Sequence, residues 1–158
     1  LGYNGWGDFF VFCFFGPIAV CGTFFLQAEY ISIESLLAGI ILGCLSVTLL
    51  CINNIRDVET DEKVGKRTLA VRLGSQFVRV MFIVLFIISY FLTGYLTYGL
   101  EYLNINLFFV LLILTFPLFL KVGFDTFKFK SKKLNTVLPR VSIFITIFSI
   151  LLTLSILL

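Results

Sequence analysis

Five apolar stretches, each long enough to cross a lipid bilayer as a helix, restrict what this sequence can fold into. They run approximately over Phe9–Leu26, Leu36–Ile52, Phe77–Tyr98, Ile105–Val122 and Val141–Leu158. A transmembrane helix needs roughly 17–25 such residues. Hydrophobic residues make up 59% of the chain and charged residues 13%, whereas soluble domains have roughly 45–50% and about 25%. Because backbone polar groups in lipid must bond within their own segment, the sequence predicts an all-α, multi-pass transmembrane bundle with five spans.

The connections between these stretches differ sharply in charge. All twelve Lys and Arg residues lie in or beside the connections 53–76 and 123–140, whereas 27–35 and 99–104 carry only acidic charge. Basic residues accumulate on the cytoplasmic side of membrane proteins. We therefore expect both basic connections to face the cytoplasm.

The ends of the chain follow from the same alternation. Residues 1–8 are expected to be cytoplasmic and Leu158 to reach the outer face. The chain starts at Leu1, and no charged segment precedes the first apolar stretch, so this stretch is not interpreted as a signal peptide. We expect the chain to be a fragment of a longer protein. Its net charge of +3 is too small to indicate a nucleic-acid partner.

Small residues inside the apolar stretches are interpreted as packing elements. The four cysteines form no CxxC pair and have no His beside them. Gly39 and Gly43 form a small-xxx-small pair that favours close helix packing. Pro17 is interpreted as a packing kink in preference to a cavity, and Pro117 is expected to kink or end the fourth helix.

Three features near the ends of the spans predict contacts with the membrane interface. Arg79 and Lys121 are the basic residues at span ends, and their long side chains are expected to reach the interface. Segment Phe124–Lys133 alternates Phe with Lys and is expected to contact anionic lipid. A flap over a substrate entrance is the alternative interpretation of this segment.

A dense run of amide, carboxylate and basic side chains follows the second apolar stretch. From Asn53 to Ala70 the sequence is NNIRDVETDEKVGKRTLA. If the preceding helix continues to Asp61, then Asn53, Asp57 and Asp61 lie on one face, because they are spaced by four residues. Two carboxylates one turn apart repel each other unless a cation lies between them. Mg²⁺ commonly takes one or two carboxylates and fills its other positions with phosphate oxygens, so the spacing predicts a magnesium site at the two aspartates.

A basic pair follows these carboxylates. Gly65 can end the helix, and Lys66 and Arg67 come directly after it. Arg offers two parallel donors to phosphate oxygens and Lys offers a mobile charge, so the pair predicts a diphosphate-binding site. The alternative is a solvated loop whose acids and bases neutralise each other, and the DxxxD spacing alone does not exclude it.

The joined pattern NNxRDxxxD and GKRTLAVRLG, from Asn53 to Gly74, resembles the second aspartate-rich motif of the UbiA superfamily of intramembrane prenyltransferases. It is similar to the branch that prenylates 1,4-dihydroxy-2-naphthoate on the way to menaquinone. The opening segment, with GDFF at 7–10 and FFGP at 14–17, is similar to that branch too. The resemblance runs in register to about residue 80, and beyond it only the helix pattern matches.

This resemblance implies a role for each matching residue. Asp57 and Asp61 would be catalytic and bind a Mg²⁺ that bridges the prenyl diphosphate. Lys66 and Arg67 would hold diphosphate oxygens. The supporting shell would consist of Asn53, Asn54, Arg56 and Glu59.

The resemblance also implies an architecture. Members of the superfamily are similar bundles of nine transmembrane helices around a central cavity that opens to the cytoplasm, and the five spans match helices five to nine. The first aspartate-rich motif of the superfamily does not occur in 1–158. We therefore expect the chain to be the C-terminal part of a single prenyltransferase domain, inactive alone, with the N-terminal half as its partner.

The implied reaction transfers a polyprenyl group from an allylic prenyl diphosphate to 1,4-dihydroxy-2-naphthoate, with loss of CO₂ and diphosphate. The expected partners are these two substrates and membrane lipids. Another aromatic acceptor, 4-hydroxybenzoate or homogentisate, is the alternative within the same class. A membrane transporter with a cytoplasmic cation-binding loop, and a structural or interaction module, are the alternatives from other classes. Transporters place ionisable groups near the bilayer midplane, where these stretches are apolar.

Overall fold

Each of the five apolar stretches forms a helix long and apolar enough to cross a membrane, as the sequence predicts. In the computed structural model these spans are Gly7–Ala28, Ile33–Arg56, Ser75–Tyr98, Ile105–Lys128 and Ser131–Leu157. The structure describes residues 5–100 and 102–157, and within them it contains no β-strand. The expectations for 1–4, Glu101 and Leu158 lie outside the described residues.

The described residues form eight α-helices and two other helical segments. In chain order these are α1 (Gly7–Cys13), a π-helical segment (Phe14–Ile18), α2 (Ala19–Ala28), α3 (Ile33–Arg56), α4 (Val58–Lys63), α5 (Leu69–Leu73), α6 (Ser75–Tyr98), α7 (Ile105–Lys128), a 3₁₀ helix (Ser131–Thr136) and α8 (Leu138–Leu157). Of these, α4 and α5 lie between the second and third spans. Side chains at the N-caps start two of the long helices: Ser32 accepts from the amide of Ser35, and Asn104 accepts from the amides of Asn106 and Leu107. Because the helices extend beyond the apolar stretches, α1 includes Asp8 in its first turn and α7 includes Asp125 near its last turn.

Helix α3 lies at the centre of the described bundle. It contacts α1, α2, the π-helical segment, α6 and α8, and its Leu45 and Ile52 are fully buried. Phe86 of α6 and Phe144 of α8 pack edge to face, with ring centroids 4.7 Å apart. Since α3 continues directly into the charged stretch, this packing anchors that stretch to the core.

The first span bends where it crosses α3. Gly16 has φ −116° and ψ −108°, which interrupts the helix beside Pro17. A Cβ added to Gly16 would lie 2.6 Å from the carbonyl oxygen of Gly39, and one added to Gly43 would lie 2.7 Å from the carbonyl oxygen of Phe12. The interpretation of Gly39 and Gly43 as packing elements is therefore confirmed. Pro17 packs against Gly39 at the bend, but it also lines a cavity of about 550 Å³, so the preference for packing over a cavity is not confirmed there.

Replacing Gly43 by Ala should destabilise this crossing, because the added methyl group meets backbone that cannot move independently. We expect the midpoint of thermal unfolding of the full-length protein in detergent to fall by about 2–12 °C, because such overpacking costs roughly 1–3 kcal/mol and each kcal/mol lowers the midpoint of a large domain by about 2–4 °C. Gly22→Ala is the matched control, since a Cβ there meets no atom within 4 Å. Equal midpoints for the two variants would contradict the close approach.

The two basic connections lie together at one end of the bundle. Arg56 Nη1 donates to Asn135 Oδ1 at 3.0 Å, and Asn54 Nδ2 donates to Asp8 Oδ1 at 3.3 Å. At the other end, the amide of Asn104 donates to the carbonyl of the α8 residue Ser155 at 3.0 Å. The predicted grouping of the basic loops is therefore confirmed, whereas the side of the membrane they face stays a prediction.

The expectation for Arg79 is wrong, and Pro117 does not end its helix, whereas a kink at Pro117 stays a prediction. Arg79 does not extend to the interface: it is 7% exposed, and its Nη2 donates to the carbonyl of Phe129 at 3.0 Å. The connection after α7 folds back over it, which the sequence of α6 alone does not reveal. Pro117 does not end its helix, because α7 continues to Lys128. The first half of the Phe124–Lys133 segment is therefore helical.

Candidate functional site

The helix that carries the aspartates is interrupted at the first of them. α3 ends at Arg56, Asp57 adopts φ −98° and ψ 6°, and α4 follows. The expectation of a continuous helix to Asp61 is therefore wrong. The amide of Asp57 nevertheless bonds the carbonyl of Asn53 at 3.0 Å, and the amide of Asp61 bonds the carbonyl of Asp57 at 2.8 Å. The four-residue hydrogen-bond spacing thus persists across the interruption.

Asp57 is held by its neighbour in the chain. Arg56 donates from Nε to Oδ1 at 2.7 Å and from Nη2 to Oδ2 at 2.5 Å, a two-point contact that fixes the plane of the carboxylate. These bonds from the guanidinium hold the pKa of Asp57 below its ordinary value. Asp57 therefore carries a full negative charge at neutral pH, as a metal ligand must.

Asp61 is buried and pairs with a different cation. Lys66 Nζ lies 3.2 Å from Oδ1 and 3.3 Å from Oδ2. The chain reverses at Gly65, whose φ of +72° favours glycine, and this turn returns Lys66 to the carboxylate. Each aspartate therefore has its own cation, an arrangement that the alternative of a self-neutralising loop also predicts.

Arg67 differs from Lys66 because its side chain is exposed. The residue after it, Thr68, begins α5: its Oγ1 accepts from the amide of Val71 at 3.4 Å. A Cβ on Gly5 would lie 2.6 Å from the carbonyl oxygen of Arg67. The start of the first span is therefore packed against the turn that carries the basic pair.

Two cavities flank the charged stretch. One of about 430 Å³ is lined by Arg56, Asp57, Glu59, Thr60, Ser131, Lys132 and Asn135. The other, of about 150 Å³, is lined by Gly5, Gly7, Asp8, Leu50, Asn54, Lys66 and Thr68. Only some of the predicted site residues border these two cavities: Asp57 and exposed Glu59 border the first, and half-buried Lys66 and buried Asn54 border the second. Asp61 is in the lining of neither.

Two residues at this site were given no role by sequence reasoning. Asn135 comes from the 3₁₀ helix and bonds Arg56. Asp8 comes from α1, is 8% exposed and bonds Asn54. Both contacts join residues far apart in the chain, so local spacing gives no signal for them. Asp8 does lie in the segment at 7–10 that resembles the superfamily, and this resemblance is the sequence signal for it.

The residues fit part of a magnesium site. Asp57 and Asp61 supply hard carboxylate oxygens one turn apart, and Mg²⁺ is commonly held by one or two carboxylates together with substrate phosphates. Among the described residues no group of three His, Cys, Asp or Glu side chains could hold a metal ion. Further ligands would therefore come from phosphate, water or other residues of the protein.

The chain matches the UbiA prenyltransferase family over residues 1–145. It is 44% identical over 81 residues to the 1,4-dihydroxy-2-naphthoate octaprenyltransferase of Mycobacterium tuberculosis. The aligned segment covers 51% of the chain and 28% of that protein. The chain is 50% identical over 74 residues to the protein of the same name from Haemophilus influenzae, covering 47% and 24%. A third relative, the UbiA prenyltransferase domain-containing protein 1 of Gallus gallus, is 35% identical over 88 residues, covering 56% and 26%. The chain thus spans about a quarter of the length of these relatives.

Proposed function

We propose, since the chain belongs to the UbiA prenyltransferase family, that the whole protein transfers a polyprenyl group from an allylic prenyl diphosphate to an aromatic acceptor. We assign 1,4-dihydroxy-2-naphthoate as this acceptor, in menaquinone biosynthesis. The names of the relatives from Mycobacterium tuberculosis and Haemophilus influenzae support this choice. The observation that carries the proposal is the pair of ion-paired aspartates, Asp57 and Asp61, at the end of a membrane-spanning helix.

The charged stretch is proposed as the diphosphate site. Asp57 and Asp61 would hold Mg²⁺, which when bound would neutralise charge on the leaving diphosphate. Lys66 would exchange its bond to Asp61 for one to a phosphate oxygen, a small movement for a flexible side chain. Arg67, which is exposed, would add its paired donors. Lys66 and Arg67 would stabilise the diphosphate as the allylic carbon–oxygen bond breaks and its electron pair leaves with oxygen.

A supporting shell keeps the first aspartate in place. Arg56 fixes the plane of the Asp57 carboxylate and is itself held by Asn135. Asn53 accepts the amide of Asp57 with its carbonyl oxygen. Asn54 and Glu59 complete the proposed shell. Groups that orient ligands in this way commonly change metal affinity when they are removed.

The second half of the reaction needs an apolar surrounding. A ring carbon of the acceptor would attack the allylic carbon, and the acceptor carboxylate would leave as CO₂ with its bonding electrons retained by the ring. The membrane-spanning bundle would exclude water from the allylic cation, which water would otherwise capture. Aromatic faces of the bundle would stabilise that cation.

We further propose that residues 1–158 form the C-terminal part of the prenyltransferase domain. The N-terminal half would supply the first aspartate-rich motif and complete the metal site. The basic connections would face the cytoplasm of a bacterial inner membrane, as their charge predicts. Both substrates would then reach the site from the cytoplasmic leaflet.

Replacing Asn135 by Ala should weaken the hold on Asp57 without touching either substrate. We expect the magnesium concentration for half-maximal turnover to rise about 2- to 10-fold, because one hydrogen bond to a charged group is lost. Thr136→Ala is the control, since it removes a local hydrogen bond of the same 3₁₀ helix. A magnesium requirement equal to that of the control would contradict the link from Asn135 through Arg56 to Asp57.

The proposed function is tested by turnover of the full-length protein in detergent. It would receive a prenyl diphosphate with Mg²⁺ and, in separate reactions, 1,4-dihydroxy-2-naphthoate or 4-hydroxybenzoate. We expect decarboxylated prenyl product with the naphthoate only, and none after chelation. Product with 4-hydroxybenzoate only would mean that the acceptor is wrongly assigned, while the proposed diphosphate chemistry would stand. No product from folded protein with any aromatic acceptor would contradict the proposed function.

A further inference from the structure

The smaller cavity beside the charged stretch shares Asn54 and Lys66 with the proposed diphosphate site, but no ligand has been assigned to the cavity itself. It has a volume of about 150 Å³ and lies between the start of α1, the end of α3 and the turn before α5. Its wall combines apolar Leu50 with polar Asp8, Asn54 and Lys66. An apolar surface with a few convergent polar groups is the arrangement found in small-molecule sites, but such pockets usually have about 300–1,000 Å³. This cavity is therefore large enough for one edge of a ring-shaped ligand and not for the whole of it.

Asp8 is the acidic residue in the lining of this cavity, and its carboxylate has few hydrogen-bond donors. It is 8% exposed, and its side-chain partner among the described residues is Asn54, whose Nδ2 lies 3.3 Å and 3.5 Å from the two carboxylate oxygens. Both distances exceed the usual range of about 2.7–3.2 Å. An ionised carboxylate can accept about four hydrogen bonds. The Asp8 carboxylate has one side-chain donor at a long distance, so it can accept a further hydrogen bond.

The position of Asp8 is fixed by the chain around it. Gly5 has φ +79°, and its backbone packs so closely on Arg67 that a Cβ would lie 2.6 Å from the carbonyl oxygen. Gly7 also lines the cavity and leaves it free of a side chain at that point. Asp8 is therefore held at a wall that it shares with Lys66, the proposed ligand of the diphosphate.

We propose that Asp8 and Asn54 form the acceptor subsite, in which the Asp8 carboxylate accepts a hydrogen bond from a hydroxyl group of the aromatic acceptor. Asn54 would hold the carboxylate in place, and Leu50 would contact the ring. Because Lys66 borders the same cavity, a ring bound there lies next to the diphosphate, as transfer of the prenyl group requires. This inference rests on the proposed function and adds to it a specificity residue for the acceptor.

The first test is the steady-state kinetics of Asp8→Asn in the full-length protein. Asn keeps the size of the side chain and removes its charge. We expect the KM for 1,4-dihydroxy-2-naphthoate to rise about 10- to 100-fold, as for the loss of a hydrogen bond to a charged group, while the KM for the prenyl diphosphate stays within about 2-fold. Glu34→Gln is the matched control, since Glu34 also lies in the first turn of a helix but at the opposite end of the bundle.

The second test separates binding of the hydroxyl group from a structural role. The probes are 1-hydroxy-2-naphthoate and 2-naphthoate, used as inhibitors competitive with the acceptor. Wild-type protein should bind the hydroxylated probe about 10-fold more tightly, and Asp8→Asn should reduce that ratio to about 1. A purely structural aspartate would weaken both probes equally and leave the ratio unchanged. Asn54→Ala should lower the ratio as well, and it replaces Asp8→Asn if that variant does not fold.

The outcomes for the two proposals are distinct. Normal turnover with an unchanged acceptor KM and an unchanged inhibitor ratio in Asp8→Asn would overturn the acceptor subsite alone. A change confined to the KM of the prenyl diphosphate or to the magnesium requirement would overturn it too, by assigning Asp8 to the diphosphate site. Wild-type protein that prenylates no aromatic acceptor would overturn both the subsite and the proposed function.

Discussion

Asp61→Asn in the full-length protein is expected to lower prenyl transfer at least about 100-fold. Asn has the same shape but lacks the charge that a divalent cation requires, and electrostatic stabilisation by such a cation contributes several kcal/mol at about 1.4 kcal/mol per factor of ten. The carboxylate is buried and bound by Lys66, so its loss also leaves that lysine without its partner. The measurement is the rate of product formation at saturating magnesium and substrates.

Glu62→Gln is the matched control for this prediction. Glu62 is the next residue in the same short helix, but its side chain is exposed. We expect the control to keep nearly full activity and Asp57→Asn to behave like Asp61→Asn. Turnover near the wild-type level in both aspartate variants would contradict the metal-binding role of the pair. Equal losses in Glu62→Gln would attribute the effect to the charge of the loop as a whole.

Lys66→Ala and Arg67→Ala should each lower kcat/KM for the prenyl diphosphate, by about 10- to 1000-fold. Each removes charge-assisted hydrogen bonds to phosphate oxygens, which strengthen as the leaving group gains charge. The two variants should differ in a second property. Lys66→Ala leaves Asp61 without its counterion, whereas Arg67→Ala removes an exposed side chain. Only Lys66→Ala is therefore expected to change the thermal stability measured without substrate.

The control for the basic pair is Lys63→Ala, which removes an exposed lysine from the end of α4. It lowers the net charge of the loop by the same amount without removing a proposed phosphate ligand. We expect its kcat/KM to stay within about 3-fold of the wild-type value, as for an exposed charge of small effect. An unchanged kcat/KM for the prenyl diphosphate in both Lys66→Ala and Arg67→Ala would contradict the diphosphate site.

The sequence predicts the features of this protein that depend on local pattern. Span number and approximate position follow from apolar length, and the grouping of the basic loops follows from alternation of the spans. Gly65 was expected to end a helix, and it adopts the left-handed conformation that follows one. Gly39 and Gly43 were expected to allow close packing, and backbone atoms of the first span lie directly against them.

The features that the sequence does not reveal depend on contacts between distant segments. Arg79 is buried because the connection after α7 folds over it, although its position near the end of an apolar stretch predicts exposure. Asp8 contacts Asn54 across a separation of 46 positions in the sequence, and Asn135 contacts Arg56 across a separation of 79. The interruption at Asp57 also has no sequence signal, since neither Gly nor Pro occurs there. Tertiary packing decides each of these cases, and local propensity does not.

The most direct test of the account is binding of a prenyl thiolodiphosphate, a donor analogue that resists cleavage, to the full-length protein with and without Mg²⁺. The account predicts that magnesium tightens binding at least about 10-fold in the wild-type protein and has no such effect in a double variant carrying Asp57→Asn and Asp61→Asn. Magnesium-independent binding, or equal tightening in the double variant, would contradict the claim that this stretch holds a diphosphate through a divalent metal.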